Sequence, residues 1–146
     1  MIDENSTKEE VLEALKYGWV LYYASDELRN DKDVVMEAVR EWGYALRWAS
    51  EKLQGDRKVV MEAVKEWGFA LEYASYELKC DKEVAMAAVK QNGWALRYAS
   101  KDLRNNWEVV MAAVGDDWEA LKYAGDDLLY DVAQCWLECM KNGDKK

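Results

Sequence analysis

Residues 31–50 read DKDVVMEAVREWGYALRWAS. Nearly the same residues return at 56–75 as DRKVVMEAVKEWGFALEYAS and at 81–100 as DKEVAMAAVKQNGWALRYAS. The copies follow one another every 25 residues, and nothing is inserted between them. A fixed period of roughly 20 to 50 residues is the signature of a repeat protein, in which each unit packs against its neighbours. The sequence therefore predicts a stack of similar units.

The repeat extends over nearly the whole chain. One column holds Leu21, Leu46, Leu71, Leu96 and Leu121, and another holds Gly18, Gly43, Gly68 and Gly93. We therefore expect a single domain at 1–146, made of about five and a half units. The expected unit boundaries are 7–30, 31–55, 56–80, 81–105 and 106–130, with a capping half unit at 131–146 whose apolar stripe is Val132, Trp136 and Met140.

Each unit is expected to begin with an amphipathic helix. Asp31 is suited to cap it, because a carboxylate can accept hydrogen bonds from the free N–H groups of the first turn. Apolar residues cover more than half of the helix circumference as far as Trp42, which is typical of a helix packed on several sides. Gly43 is expected to end the helix in the left-handed conformation. Asn30, Gly55 and Asn105 close their units and also tolerate positive φ.

A shorter second helix is expected from Tyr44 to about Ala49, with Leu46 buried at the seam between units. Ser50 is then placed to cap a further turn, so that Leu53 points inward. Connections this short bring neighbouring helices together as antiparallel pairs. With no proline in the chain, the pattern predicts an all-α, solenoid-like fold.

The copy at 81–100 resembles a known family. Its pattern, DKEVxxxAVKQNGxALxYAS, is similar to the short helical repeat catalogued as domain of unknown function forty-one sixteen. The resemblance implies tandem helical repeats and no catalytic residues. The chain departs from the family pattern at Trp42, Trp67 and Asp117, where Asn92 keeps the expected asparagine, and at Trp118, where glycine is expected.

Composition excludes several protein classes. No apolar run approaches the roughly 18 residues that a membrane-spanning helix needs, and the polar start at Met1–Asn5 does not resemble a signal peptide. Three cysteines, Cys80, Cys135 and Cys139, form no disulfide framework. A sparse, odd number of cysteines is typical of a reducing compartment. We therefore expect a cytoplasmic protein with free thiols, that of Cys80 facing solvent.

The net charge and its distribution along the chain indicate which kind of partner is favoured. The net charge is −9, with three basic and seven acidic side chains at 1–30, and one basic and six acidic side chains at 106–130. Such a surface repels the phosphates of nucleic acids and favours a basic protein partner. The simpler alternative is that the charge keeps the protein soluble.

Motifs for catalysis or cofactor binding are missing from the sequence. It has no histidine, which removes the commonest general base and metal ligand, and no glycine-rich phosphate loop or nucleophile elbow. Cys135 and Cys139 lie one helical turn apart, but two thiols make at most half of a tetrahedral metal site. The acidic residues match no calcium loop. We expect no enzymatic activity, no cofactor and no metal.

Residues that break the repeat are the better candidates for partner binding, because stacking does not demand them. Tyr22, Tyr76 and Trp107 stand in columns that otherwise hold charged residues, and aromatic side chains are enriched at binding hot spots. Local repacking or cap formation is the alternative explanation. The densest acidic patch is formed by Asp116, Asp117, Glu119, Asp126 and Asp127.

Two functions fit these features. The first is a non-enzymatic scaffold that binds a protein partner. The second is a small acidic inhibitor that blocks a basic, nucleic-acid-binding groove on its target, as phage-encoded counter-defence proteins do. Neither involves direct binding to nucleic acid or to a membrane.

Overall fold

The computed structural model describes residues 2–17, 19–115, 117–131 and 133–134. Every regular element within this part of the chain is a helix, which confirms the all-α repeat fold. In each of four successive repeats, a long α-helix leads into a six-residue 3₁₀ helix. The long helices are Lys32–Glu41, Arg57–Glu66, Lys82–Gln91 and Trp107–Val114. The 3₁₀ helices are Gly43–Trp48, Gly68–Tyr73, Gly93–Tyr98 and Trp118–Tyr123.

Short α-helices join these layers. They are Asp26–Arg29, Glu51–Gln54, Tyr76–Lys79 and Lys101–Arg104, and each leads into the next long helix. The first repeat differs, since it contains α-helices Lys8–Ala14 and Val20–Tyr23 and a 3₁₀ turn Leu15–Tyr17. Long helices pack on long helices and 3₁₀ helices on 3₁₀ helices, so that the repeats form two layers.

The predicted capping residues lie where the sequence places them. Asp31 Oδ1 accepts hydrogen bonds from the N–H groups of Asp33 and Val34, at 3.0 and 3.2 Å. Ser50 Oγ accepts from the N–H of Leu53 at 3.3 Å, and thereby caps the short helix. The same contacts recur one repeat later, because the capping residues recur.

The core follows the predicted columns. Leu21, Leu46, Leu71 and Leu96 are fully buried, together with the valines of the long helices other than Val114. Leu53, Leu78 and Leu103 point inward from the short helices and are also buried. The column that begins at Leu21 is less buried at its last member, because Leu121 is 38% exposed. The predicted stripe of Val132, Trp136 and Met140 lies outside the described residues.

The role expected for the glycine column is wrong. Gly43 has no positive φ and begins the 3₁₀ helix. A Cβ on this residue would lie 2.5 Å from the carbonyl oxygen of Ala63 in the next repeat. Gly68 and Gly93 meet the carbonyl oxygens of Ala88 and Ala113 in the same way. These glycines are therefore required by the close approach of neighbouring repeats, while Gly18 lies outside the described residues.

Unit ends also avoid the left-handed conformation. Asn30, Gly55 and Asn105 have φ of −103°, −96° and −97°. These residues tolerate positive φ, but the turns that they occupy do not require it. None of the described helices has the length and hydrophobicity needed to cross a membrane.

Candidate interaction surfaces

A ladder of charges connects the first turns of successive long helices. The basic residue that starts one helix reaches the N-cap carboxylate of the next, so that Lys8 Nζ lies 2.8 Å from Asp31 Oδ2. Two repeats further on, Arg57 Nε lies 2.8 Å from Asp81 Oδ2. Between them, Lys32 and Asp56 form the equivalent pair. Each carboxylate thus caps its own helix with one oxygen and binds the preceding repeat with the other.

These contacts hold the pKa of the N-cap carboxyl groups below the ordinary value. The largest cause is the hydrogen bond from Lys8 for Asp31, and that from Arg57 for Asp81. The backbone N–H groups of the capped helix act in the same direction, while partial burial opposes them. The folded chain therefore favours the ionised carboxylates that the ladder needs.

Trp107 ends the charge ladder. One repeat earlier, Lys82 still binds an acid, although this is Glu108 because the N-cap there is Asn106. Trp107 then occupies the column of Lys32, Arg57 and Lys82, and its side chain is 55% exposed. The ladder thus finishes in an exposed indole ring instead of a cation.

A second ladder connects the 3₁₀ layer. In each of the first four repeats, an exposed residue contacts an aromatic residue of the following repeat. The pairs are Tyr22 with Trp48, Arg47 with Tyr73, Glu72 with Tyr98, and Arg97 with Tyr123. Tyr22 belongs to this ladder, because its ring meets that of Trp48 edge-to-face at 5.9 Å. Local packing therefore accounts for this candidate.

Each pair in the second ladder is chemically matched. The guanidinium of Arg97 lies 5.4 Å from the ring centroid of Tyr123, within the range of a cation–π contact. Glu72 instead faces the hydroxyl of Tyr98. Burial and the neighbouring Glu72 carboxylate raise the pKa of the Tyr98 phenol.

Trp42 and Trp67 replace a capping residue by aromatic packing. In this column Asn92 Oδ1 accepts from the N–H of Trp94 at 3.0 Å and caps the 3₁₀ helix. Trp42 and Trp67 make no such bond. Their rings instead both meet that of Tyr44 edge-to-face, at 6.4 and 6.1 Å between centroids. The departure from the family pattern is therefore a packing feature.

Tyr76 is the most exposed of the three aromatic candidates. It begins a short helix, its side chain is 72% exposed, and no other described ring packs on it. Cys80 lies one turn further on and is exposed, as expected. A hydrogen bond between the two side chains raises the pKa of the Tyr76 phenol.

The members of the acidic patch make different contacts. Asp117 Oδ2 accepts a hydrogen bond from Trp94 Nε1 at 2.6 Å, and its Oδ1 accepts from the N–H of Glu119 at 2.9 Å. The bond from Trp94 is the main reason that the pKa of Asp117 is lowered. Glu119 Oε2 lies 3.9 Å from Lys122 Nζ. Asp117 therefore caps the 3₁₀ helix and orients the indole ring of Trp94.

The other acids of the patch lie in the last turns. Asp126 is exposed, and Asp127 Oδ2 accepts a hydrogen bond from Asn105 Nδ2 at 3.2 Å. Asp116 lies outside the described residues, as do Cys135 and Cys139. In the described part of the chain, no three His, Cys, Asp or Glu side chains are placed to hold a metal ion.

The sequence alone does not single out Arg47 and Arg97 as candidates. Their ring contacts involve residues 26 positions away, so that only the stacking of repeats reveals them. The sequence does contain a signal for these contacts, because an arginine stands next to an aromatic residue in alternate repeats.

Comparison with protein families gives one match. The family model described as "Domain of unknown function (DUF4116)" matches residues 7–54, 56–104 and 81–129. Each match spans about two of the repeats described above. Neither the curated proteins nor the solved structures contain a significant match to the chain.

Proposed function

Since the chain belongs to the DUF4116 family, whose name assigns no activity, we propose from its surface that it is a non-enzymatic module that binds a protein partner. The observation that carries the proposal is the exposure of Tyr76 and Trp107. These two aromatic side chains interrupt charged columns and are 72% and 55% exposed. The ladder contacts that account for Tyr22 do not account for them.

Tyr76 and Trp107 belong to neighbouring junctions of the stack. Each junction consists of a short helix and the first turn of the long helix that follows, at 76–83 and 101–108. We call these two segments the junction ridge. The charge of Asp102, on the second segment, contributes to the raised pKa of Tyr76 on the first. The ridge therefore offers two aromatic anchors with charged residues around them, which is the composition of a binding hot spot with a polar rim.

The partner is proposed to be a protein with a basic surface. The net charge of −9 favours encounter with such a partner over encounter with a nucleic acid. The alternative, an acidic inhibitor of a nucleic-acid-binding groove, relies more heavily on the acidic patch. It receives less support, because Asp117, Glu119 and Asp127 already contact other side chains of the chain. We also propose a cytoplasmic location, on the basis of the sparse cysteines.

Affinity purification from the source cells tests this proposal. The bait is the full chain, compared with Tyr76→Ala/Trp107→Ala and with Tyr17→Ala, which removes an equally exposed aromatic side chain at the other end of the stack. A specific partner should be retained by the wild type and by Tyr17→Ala, and lost from the double variant. Equal recovery on all three baits would show that the junction ridge does not bind it.

A further inference from the structure

The 3₁₀ layer carries a second surface, separate from the junction ridge. We propose that Arg47 and Arg97 bind an extended, acidic segment of a protein. The proposal does not depend on the identity of the partner at the ridge. Three features support it: the contacts that hold the two guanidinium groups, their lack of carboxylate partners and their spacing.

Both guanidinium groups are positioned by two rings. Arg47 Cζ lies 5.9 Å from the ring centroid of Trp48 and 5.8 Å from that of Tyr73. Arg97 Cζ lies 5.1 Å from the centroid of Tyr98 and 5.4 Å from that of Tyr123. Ring contacts of this kind restrict the side chain before a ligand arrives, which lowers the entropy lost on binding.

Both arginines are also exposed to solvent. Contact with a ring face uses the flat side of the guanidinium, while the N–H groups at its edge can still bind a carboxylate in a bidentate way. Arg29, Arg40 and Arg57 all form ion pairs. Among the described residues, Arg47, Arg97 and the partly buried Arg104 form none, although the chain contains 29 acidic side chains. The free charge of Arg47 and Arg97 is thus complementary to carboxylates on another molecule.

The distance between the two arginines sets the spacing of the carboxylates on the proposed ligand. They lie two repeats apart, and neighbouring helices pack about 8–10 Å from each other, so that the separation is roughly 16–20 Å. An extended chain advances about 3.3 Å per residue, which places the matching carboxylates five or six residues apart. Lys122 Nζ, 3.8 Å from the ring centroid of Trp94, adds a cation in the fifth repeat, where it also pairs with Glu119.

The overall negative charge does not prevent this binding. At physiological ionic strength, exposed charges are screened beyond about 8–10 Å, so that the nearest groups dominate. Glu72 is the acid between the two arginines in this column, and it faces the phenol of Tyr98. Single-stranded nucleic acid also uses rings and arginines, and it is therefore tested beside the acidic peptide.

Fluorescence anisotropy with a labelled peptide tests the proposal. The peptide carries two Glu-Glu pairs separated by four Ser or Gly residues. Saturable binding is expected, and Arg47→Gln/Arg97→Gln should weaken it by about tenfold or more, because two charge-assisted contacts are lost. The Arg47→Lys/Arg97→Lys variant keeps the charge and the ring contact but loses the planar fork, so that an intermediate loss is expected.

Matched controls separate this surface from general charge effects. Arg40→Gln removes one positive charge, as Arg47→Gln alone does, at an exposed arginine that already pairs with Glu37 and Glu62, and it should leave the affinity nearly unchanged. Tyr76→Ala/Trp107→Ala should also bind the peptide normally, even if the junction ridge has no function. Circular dichroism melts would confirm that each variant is folded.

Four results would overturn the proposal. The first is the absence of saturable binding to the spaced peptide. The second is an equal loss of affinity in Arg40→Gln. The third is equal affinity for a peptide with four adjacent glutamates, which would remove the two-point match. The fourth is tighter binding of an oligothymidylate of similar length, which would identify the surface as a nucleic-acid site.

Discussion

Asn105 supplies the helix cap that Gly125 lacks. In the other repeats the column of Gly125 holds a serine, whose Oγ accepts a hydrogen bond from the N–H three residues later. In the last repeat, Asn105 Oδ1 accepts this bond from the N–H of Leu128 at 3.2 Å. A Cβ on Gly125 would lie 1.9 Å from the same oxygen. The glycine thus leaves room for a cap provided by the preceding repeat.

The cap exchange predicts a coupled pair of substitutions. Asn105→Ala should destabilise the last repeat by about 1 kcal/mol, the usual loss for a missing N-cap. In a Gly125→Ser background the same substitution should have much less effect, because the serine can cap its own helix as Ser100 does. Amide hydrogen exchange of Leu128 in the wild type, the two single variants and the double variant measures this coupling. Purely additive effects would contradict it.

The glycine column predicts a difference between two glycines of the same repeat. Gly43→Ala should destabilise the chain by about 1–3 kcal/mol, because the new methyl group meets the backbone of the next repeat. Gly55→Ala is the control, since its Cβ would make only ordinary contacts of 3.5 Å and longer. Urea unfolding of both variants measures the effect. Similar midpoints for the two variants would show that close packing does not explain Gly43.

Burial along the leucine column predicts position-dependent losses. Leu71 is fully buried between repeats, so that Leu71→Ala should cost about 2–5 kcal/mol. Leu121→Ala removes the same atoms from a side chain that is already 38% exposed, and it should cost less. Thermal unfolding monitored by circular dichroism makes the comparison. Equal shifts in the melting midpoint would refute the burial argument.

The charge ladder predicts a dependence of stability on pH. The pKa of Asp56 is lowered in the folded chain, chiefly by the hydrogen bond from Lys32. Its stabilising contribution is therefore present above the pKa of the unfolded state, near 3.9, and is lost as the pH falls through the lower, folded value. Asp56→Asn keeps a good helix cap but removes the charge.

The Asp56→Asn variant should thus be less stable than the wild type at pH 7, and the difference should shrink towards pH 3. Denaturant unfolding at both pH values measures it. Asp33→Asn, on an exposed carboxylate two residues after the neighbouring cap Asp31, serves as the control for a general charge effect. A difference between Asp56→Asn and the wild type that stays constant with pH would show that the ladder does not contribute in this way.

Once a partner of the junction ridge is purified, binding kinetics should distinguish anchors from steering charges. Trp107→Ala should mainly speed dissociation, since it removes buried contact area from the complex. Asp126→Asn should mainly slow association, because exposed acids attract a basic partner at long range. Raising the salt concentration should slow association of the wild type. Surface plasmon resonance provides both rates, and salt-independent association would argue against a basic partner.

Much of the fold could be predicted from the sequence because the decisive interactions are local or periodic. Asp31 and Ser50 cap helices within three residues, and the leucine column recurs at a fixed interval. The purpose of Gly43 could not be predicted in the same way. Its neighbour, Ala63, belongs to the next repeat, and sequence alone does not give that distance.

The candidate site was less predictable for the same reason. Breaks in the repeat selected both Tyr22 and Tyr76, yet one packs on Trp48 and the other projects into solvent. Likewise, the sequence does not distinguish Asp117 from the neighbouring acidic residues, and only the structure gives its hydrogen bond with Trp94. A column shows which residue is unusual, while only the contacts across a junction show whether the stack already uses it.

The charge ladder also bears on how such a chain can change its length. If the third repeat were removed, Lys32 would meet Asp81 and Arg47 would meet Tyr98, which are contacts of the kinds already present. A duplicated repeat would present the same matching groups at both of its junctions. Gain or loss of whole repeats by recombination therefore preserves the ion pairs and ring contacts between neighbouring repeats, while an insertion of any other length disrupts them.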